Sequence, residues 1–348
     1  MRALVTGGTG FIGAAVVRAL LAAGWQVRAL VRPGADTANL DGLPVERATG
    51  ELGERAALRS ALAGADALFH LAAAYTLASG RRARQLLYRT NVEGTRALME
   101  EALAAGVPRI VYTSSVAVLA PPAHPEAPPA DERSEPVESA IVGPYKHSKY
   151  LADRLVRAMV RERGLPAVLV LPSAPIGPRD RKPTPTGRIV LDFLCGRMPA
   201  YLDTGLNVVD VDDCARGHLL ALERGVPGER YILGGQNLTL RQILEALAEL
   251  TGLPAPRVRL PYAVAWTAAL ASEAWARLRG GEPRVPLSGV RMARKYMWFD
   301  SARARSELGF APSDARRALA RAARWYCEHG YVPHPRAAIA LAHLGAEH

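Results

Sequence analysis

The run GGTGFIG follows directly on an apolar stretch at residues 3–6 and opens a helical pattern from Phe11 to Ala23. Glycine recurs at every third position there, as Gly7, Gly10 and Gly13. Gly7 allows a tight turn, Gly10 lets backbone approach a pyrophosphate, and Gly13 lets the helix pack on the strand. The helix N-terminus then faces the anion. Phe11 and Ile12 belong to the same cradle. The bland alternative is a glycine-rich turn without a ligand, and the strand–turn–helix context argues against it.

The rest of the chain repeats that rhythm. Strand-like runs at residues 26–31, 67–71, 109–113 and 167–171 alternate with helical stretches, one of them near residues 88–104. Such alternation predicts an α/β fold: a Rossmann-type, doubly wound parallel sheet covered by helices on both faces. After Leu171 the pattern becomes mixed. The expected division is a dinucleotide-binding domain at 1–171, with the chain returning near 206–235. A smaller mixed C-terminal substrate domain takes 172–205 and 236–335, and a tail takes 336–348. Two proline-rich loops, 121–136 and 172–188, read as candidate lids.

Composition narrows the classes. Apolar residues make up 49% and charged residues 22%, which excludes disorder and fibrous repeats. The three cysteines, Cys195, Cys214 and Cys327, have neither metal-ligand spacing nor a disulfide framework, so no metal is expected. A first strand starting at Arg2 leaves no room for a signal peptide, and no apolar run reaches a membrane span, so a cytoplasmic protein is expected. The net charge is +11, and only Lys146, Lys149, Lys182 and Lys295 are lysine. Nucleic acid is not the expected partner, because the arginines are spread along the chain rather than clustered with aromatics. Trp266, Leu270 and Trp275 beside Arg279 leave room for weak contact with a membrane surface, against the simpler reading of a packed helix.

Two places carry chemistry beyond the glycines. At the end of the second strand a carboxylate would bind the ribose hydroxyls of NAD. Arg28 and Arg32 stand there instead, with no acid before Asp36, which favours the 2′-phosphate of NADP while admitting NAD. Glu51 and Leu52 follow the third strand and are placed to border the adenine. Farther on, Tyr145 and Lys149 are four residues apart on a helical stretch and share a face. A lysine charge near the phenol would lower its pKa and make it a usable acid or base. Ser114 and Ser115 end a strand at the carboxyl edge of the sheet, where ligands bind.

Taken together, these residues resemble the extended short-chain dehydrogenases/reductases, the NAD-dependent epimerase/dehydratase family. Further support comes from the HLAA strand end at residues 70–73, Asn91 in NVEGT, PSAPIG at 172–177, and VDVDDCARGH at 209–218. The stretches YKHSKYLADRLV and ERYILGGQNLTL resemble the hopanoid-associated sugar epimerases, which lie near dihydroflavonol-4-reductase-like enzymes. The resemblance implies that Tyr145 moves the hydroxyl proton and that Lys149 holds the nicotinamide ribose. It gives Ser115 the role of orienting the substrate oxygen and Asn91 that of supporting a relay water. Leu71, Ala72, Ala73, Pro172 and Ile176 would line the cofactor. It also implies a small-molecule substrate and a homodimer.

Departures from the family pattern narrow the reaction. Val116 and Ala117 stand where sugar dehydratases carry acids. Leu206 stands where galactose-type epimerases carry the arginine that clasps a diphosphate. Asp210 replaces the family's usual histidine, and Asp213 reads as a helix-start acid. Arg179, Arg181, Lys182 and Arg188 would roof the substrate, against the alternative of a solvated loop. The expected function is hydride and proton transfer at a secondary alcohol or ketone, as a sugar or sugar-like epimerase linked to hopanoid metabolism. A ketone or aldehyde reductase is the second reading. A non-catalytic NAD(P)-binding sensor is the third, and it is disfavoured because Tyr145 and Lys149 are both kept.

Overall fold

The computed structural model describes residues 1–76, 80–141, 143–279, 290–291 and 293–346. Seven parallel strands form the main sheet: β1 (Arg2–Thr6), β2 (Gln26–Val31), β3 (Val45–Thr49), β4 (Ala67–His70), β5 (Ile110–Thr113), β6 (Ala167–Pro172) and β10 (Arg230–Leu233). Their order is β10-β6-β5-β4-β1-β2-β3, so the strand order reverses between β1 and β4. Alternate residues feed opposite cores. Leu4, Leu68, Ile110 and Leu169 face one side, and Val5, Phe69, Val111 and Val170 the other. Continuous apolar strands follow from burial on both faces.

On the first face lie α2 (Arg55–Leu62), α4 (Gly94–Ala104) and α5 (Pro144–Arg163). On the second, α1 (Phe11–Ala22) packs along α7 (Val211–Arg224). The helical stretch before α4 is interrupted: α3 (Arg81–Tyr88) passes through a π-helical turn, Arg89–Glu93, before α4 begins.

A second sheet is built on β9 (Gly205–Asp210), which pairs with β7 (Ala174–Ile176), β11 (Gln236–Thr239) and β13 (Tyr296–Met297). A two-stranded parallel ribbon, β8 (Ala200–Tyr201) with β12 (Val258–Arg259), lies apart from it. A third core joins α6 (Pro185–Leu194), α8 (Leu240–Thr251), α10 (Ala315–Glu328) and α11 (His334–Ala346). The remaining helix, α9 (Tyr262–Arg279), has its own small cluster with Val290.

Four expectations need correction. The expected tail at 336–348 is packed helix as far as it is described, to Ala346. Ala337, Ala340 and Leu344 recur at helical spacing and are buried against α8 and α10. The return to the main sheet starts at Val211, because β9 belongs to the small sheet. Residues 304–310 leave the substrate domain, since Ala304, Leu308 and Phe310 are buried in the same core as α1 and α7. The loop at 121–136 is moored at its far end. Ala130 bridges Phe299, Glu132 Oε1 accepts from the Ile232 N–H at 2.8 Å, and Glu135 pairs with Arg230 at 2.8 Å. Buried and half-buried polar links of this number make that half of the loop part of the sheet edge rather than a lid.

Candidate active site

The glycine loop turns as its spacing requires. Gly7 has φ +74°, the left-handed region that suits glycine, and a Cβ there would lie 2.6 Å from the Ala72 nitrogen. A Cβ on Gly13 would lie 2.0 Å from the Gly7 carbonyl oxygen, so the helix meets the turn with no side chain between them. Gly10 is the N-cap of α1, with neither a side-chain cap nor an acid in the first turn. The N-terminal N–H groups are thus left for an anion. These features fit a dinucleotide's pyrophosphate.

Around this cradle the expected residues divide. Arg32 is exposed just past the end of β2, and its side chain makes no hydrogen bond or ion pair to another described residue. Arg28 is not a phosphate ligand. It is bound to Glu46 at 2.7 Å and to the Ala61 and Ala63 carbonyls at 2.7 and 2.9 Å, tying β2 to β3 and the end of α2. Glu51 is exposed, whereas the Leu52 side chain is buried against Gly94. Leu71 and Ala72 are half-buried and Ala73 is exposed at the end of β4, across the loop from Gly7. Pro172 and Ile176 are buried, so their side chains serve the cores.

The residues expected to react stand at the carboxyl end of β5 and in the first turns of α5. Gly143, at φ +93°, and Pro144 start α5, which puts Tyr145 in its first turn and Lys149 one turn later. The two serines have different fates. Ser114 is buried and donates its hydroxyl to Asp153 at 2.6 Å. Ser115 caps a short 3-10 turn, accepting from the Ala117 N–H at 3.1 Å, so its own O–H is left to donate. Lys149 is buried, and its Nζ donates to the Thr113 carbonyl at 2.8 Å and lies 5.0 Å from the centre of the Tyr112 ring.

The electrostatics differ from the sequence expectation. Burial pushes the Tyr145 phenol up rather than down, with Tyr75 adding to the effect. Burial also lowers Lys149 to about 8, against the opposing pull of Asp153. Desolvation is the largest cause of both shifts, and the Lys149 ammonium is spent on a backbone carbonyl.

Asn91 sits in the π turn with its amide fully used. Its Oδ1 accepts from the Ala74 N–H at 2.7 Å, and its Nδ2 donates to the Ala74 carbonyl at 3.0 Å and Ser148 Oγ at 2.9 Å. It fastens the loop after β4 to α5. Two buried histidines make similar links. His70 joins Thr6 at 2.7 Å to Thr95 at 2.9 Å, and His218 joins Thr113 at 3.0 Å to the Cys214 carbonyl at 2.8 Å. Burial lowers them to about 3 and about 4, so both are neutral.

Sequence reasoning missed three partners. Tyr75 stacks edge-on against Tyr145 with ring centres 4.6 Å apart. Asp153, one helical turn after Lys149, decides which serine is free. Asp210, rather than Asp213, is the N-cap of α7, and Arg321 holds both its oxygens at 2.8 and 2.6 Å. Asp213 binds Ser313 and Arg216 instead. Two of the four residues expected to roof the substrate, Arg179 and Arg181, are paired elsewhere. Arg179 pairs with Asp212 at 3.0 Å, and Arg181 reaches Asp36 beyond β2 at 4.0 Å.

A parallel sheet with this strand order, a glycine cradle and a Ser/Tyr/Lys cluster at one strand end define an NAD(P)-dependent enzyme of the extended short-chain dehydrogenase type. The chain belongs to the NAD dependent epimerase/dehydratase family, whose family model matches residues 3–234. It is 45% identical over 332 residues to a putative dihydroflavonol 4-reductase of Synechocystis, covering 94% of this chain and 95% of that one. It is 39% identical over 335 residues to sterol demethylase protein B of Methylococcus capsulatus, covering 95% and 100%. Among solved structures, gox2253 superposes with a TM-score of 0.84 at 47% identity, covering 95% and 99%.

Proposed function

We propose that this protein is an NADPH-dependent reductase of a ketone on an apolar, ring-bearing substrate. The observation that carries the reading is the split between the serines. Only Ser115 keeps a hydroxyl free to donate to a substrate oxygen. Burial keeps the Tyr145 phenol protonated, the form from which a proton donor starts.

The nicotinamide, when bound, supplies the hydride to the carbonyl carbon. Ser115 Oγ–H orients the carbonyl oxygen, and Tyr145 Oη donates the proton that completes the alcohol. Lys149 would hold the nicotinamide ribose, fixed by its bond to the Thr113 carbonyl. Asn91 keeps the loop after β4 and the catalytic helix in register. Gly7, Gly10 and Gly13 would take the pyrophosphate, and Arg32 the 2′-phosphate, since Arg28 is already paired.

Names of relatives support the apolar substrate: one refers to a dihydroflavonol, the other to a sterol. The hopanoid link implied by the sequence resemblance is chemically similar, a polycyclic, water-insoluble lipid. Leu206, half-buried on β9, offers no charge to a sugar nucleotide's diphosphate.

The test is a redox assay with NADPH and a panel of polycyclic ketones. Stoichiometric consumption of NADPH is expected. Isomer interconversion without net consumption would replace the reading with an epimerase. In the Tyr145→Phe variant, turnover should fall about a thousandfold while cofactor affinity stays unchanged.

A further inference from the structure

Helix α9 is apolar on both of its faces. Ala265, Ala269 and Ala276 form the buried stripe, packed with Val290, Trp266 and Leu202. Val264, Ala268, Ala271 and Trp275 form a second stripe at the same helical spacing, and all four are exposed. Val264 is 49% exposed and Trp275 58%, and Leu270, farther round the helix, is 46% exposed. A helix that is hydrophobic all round is expected to be covered on every side.

The surroundings say what the cover is. Three arginines stand over aromatic rings along this segment: Arg279 over Trp275 at 4.2 Å, Arg291 over Trp266 at 5.3 Å and Arg294 over Tyr262 at 5.7 Å. All three are exposed. Of the nearby acids, Asp203 is already bound by Arg259 and Tyr296, and Glu273 lies half-buried off the exposed stripe. An apolar stripe rimmed by arginine, with amphipathic aromatic rings at the boundary, matches an anionic lipid surface in shape and charge. A second copy of this chain would bring its own arginines against these.

We propose that α9 lies in the headgroup region of an anionic membrane and docks the protein there while the chain remains outside the bilayer. Among the described residues no helix is long and apolar enough to cross a membrane. Beyond Arg291 the chain runs to the loop that follows Ser115. After Arg294 the chain passes Lys295 and β13 to Phe299, which bridges Ala130 of the loop following the catalytic serine. Lys295 lies near enough to Lys146, the neighbour of Tyr145, to lower it electrostatically, though burial is the larger cause. A substrate dissolved in the membrane would then meet the protein where its chain runs on to that loop. That benefit rests on the proposed apolar substrate, whereas the docking itself stands on the helix alone.

Co-sedimentation of the full chain with phosphatidylcholine vesicles containing phosphatidylglycerol tests the proposal without any substrate. The protein should pellet with these vesicles at low salt, and much less with phosphatidylcholine alone. In V264S/W275S, whose altered positions are both exposed, vesicle affinity should fall about tenfold, with melting temperature and cofactor affinity unchanged. Arg279→Glu should act in the same direction and also reduce the salt dependence. Failure of the wild type to pellet at low salt overturns the proposal. So does a dimer in solution that dissociates in V264S/W275S, because the stripe would then be covered by a second copy. An inactive protein that still pellets would overturn the reductase reading and leave the docking intact.

Discussion

The cofactor cradle and the substrate-side domain are held together by different forces. Around the cradle, beside the charged Lys149 and Asp153 at the end of β5, many links between strand ends are neutral: Thr6–His70–Thr95, Thr113–His218, and Asn91 between Ala74 and Ser148. The junction of α7 with the C-terminal helices is ionic. Arg321 holds Asp210 and Asp212, and Arg179 shares Asp212. Neutral hydrogen bonds fix direction without adding charge beside a site that must accept a dinucleotide and stabilise a developing oxyanion.

The contrast can be broken most severely at the ionic junction. Arg321→Leu leaves the buried Asp210 without its cation, and the loss should be about 3 kcal/mol by denaturant unfolding. Cofactor affinity should change far less than stability. On the cradle side the pattern should reverse. Gly13→Ala places a methyl against the Gly7 oxygen, and NADPH affinity by fluorescence titration should drop roughly a hundredfold.

Acid should expose the neutral links. His70 and His218 bind protons in the unfolded chain near pH 6.5, and in the folded protein only near 3 and 4. The unfolded state therefore binds more protons in that interval. The stability from these two histidines is complete above about pH 6.5 and is lost as pH falls towards 4. Each contributes a slope of up to about 1.4 kcal/mol per pH unit. Melting temperature against pH should show this fall, and His218→Gln should flatten it. A pH-independent melting point between 6.5 and 4 would refute the neutral assignment. The smallest effect is at the cradle's rim, where Arg32→Ala should weaken NADPH about tenfold while sparing NADH.

Legibility in the sequence follows the same divide. Gly7, Gly10 and Gly13 were readable because one short run of chain makes the whole turn. The Tyr145/Lys149 pair was readable because four residues make one helical turn. What escaped depended on distant partners. Nothing in the order of Ser114 and Ser115 says that Asp153 will occupy the first. The sign of the Tyr145 shift needed its burial, and the fate of Arg28 needed Glu46 on the neighbouring strand. Residues 336–348 read as a tail because their alanines are mild on any polarity scale. Only the groove between α8 and α10 makes them core.

The link between Glu132 and Ile232 bears on how this protein survives at high concentration. β10 closes the main sheet on one side, and an open strand end offers unpaired N–H groups to any other chain. A carboxylate seated on one of those N–H groups denies it to an incoming strand. Loosening the loop that carries Glu132 would bare a ready template for edge-to-edge aggregation.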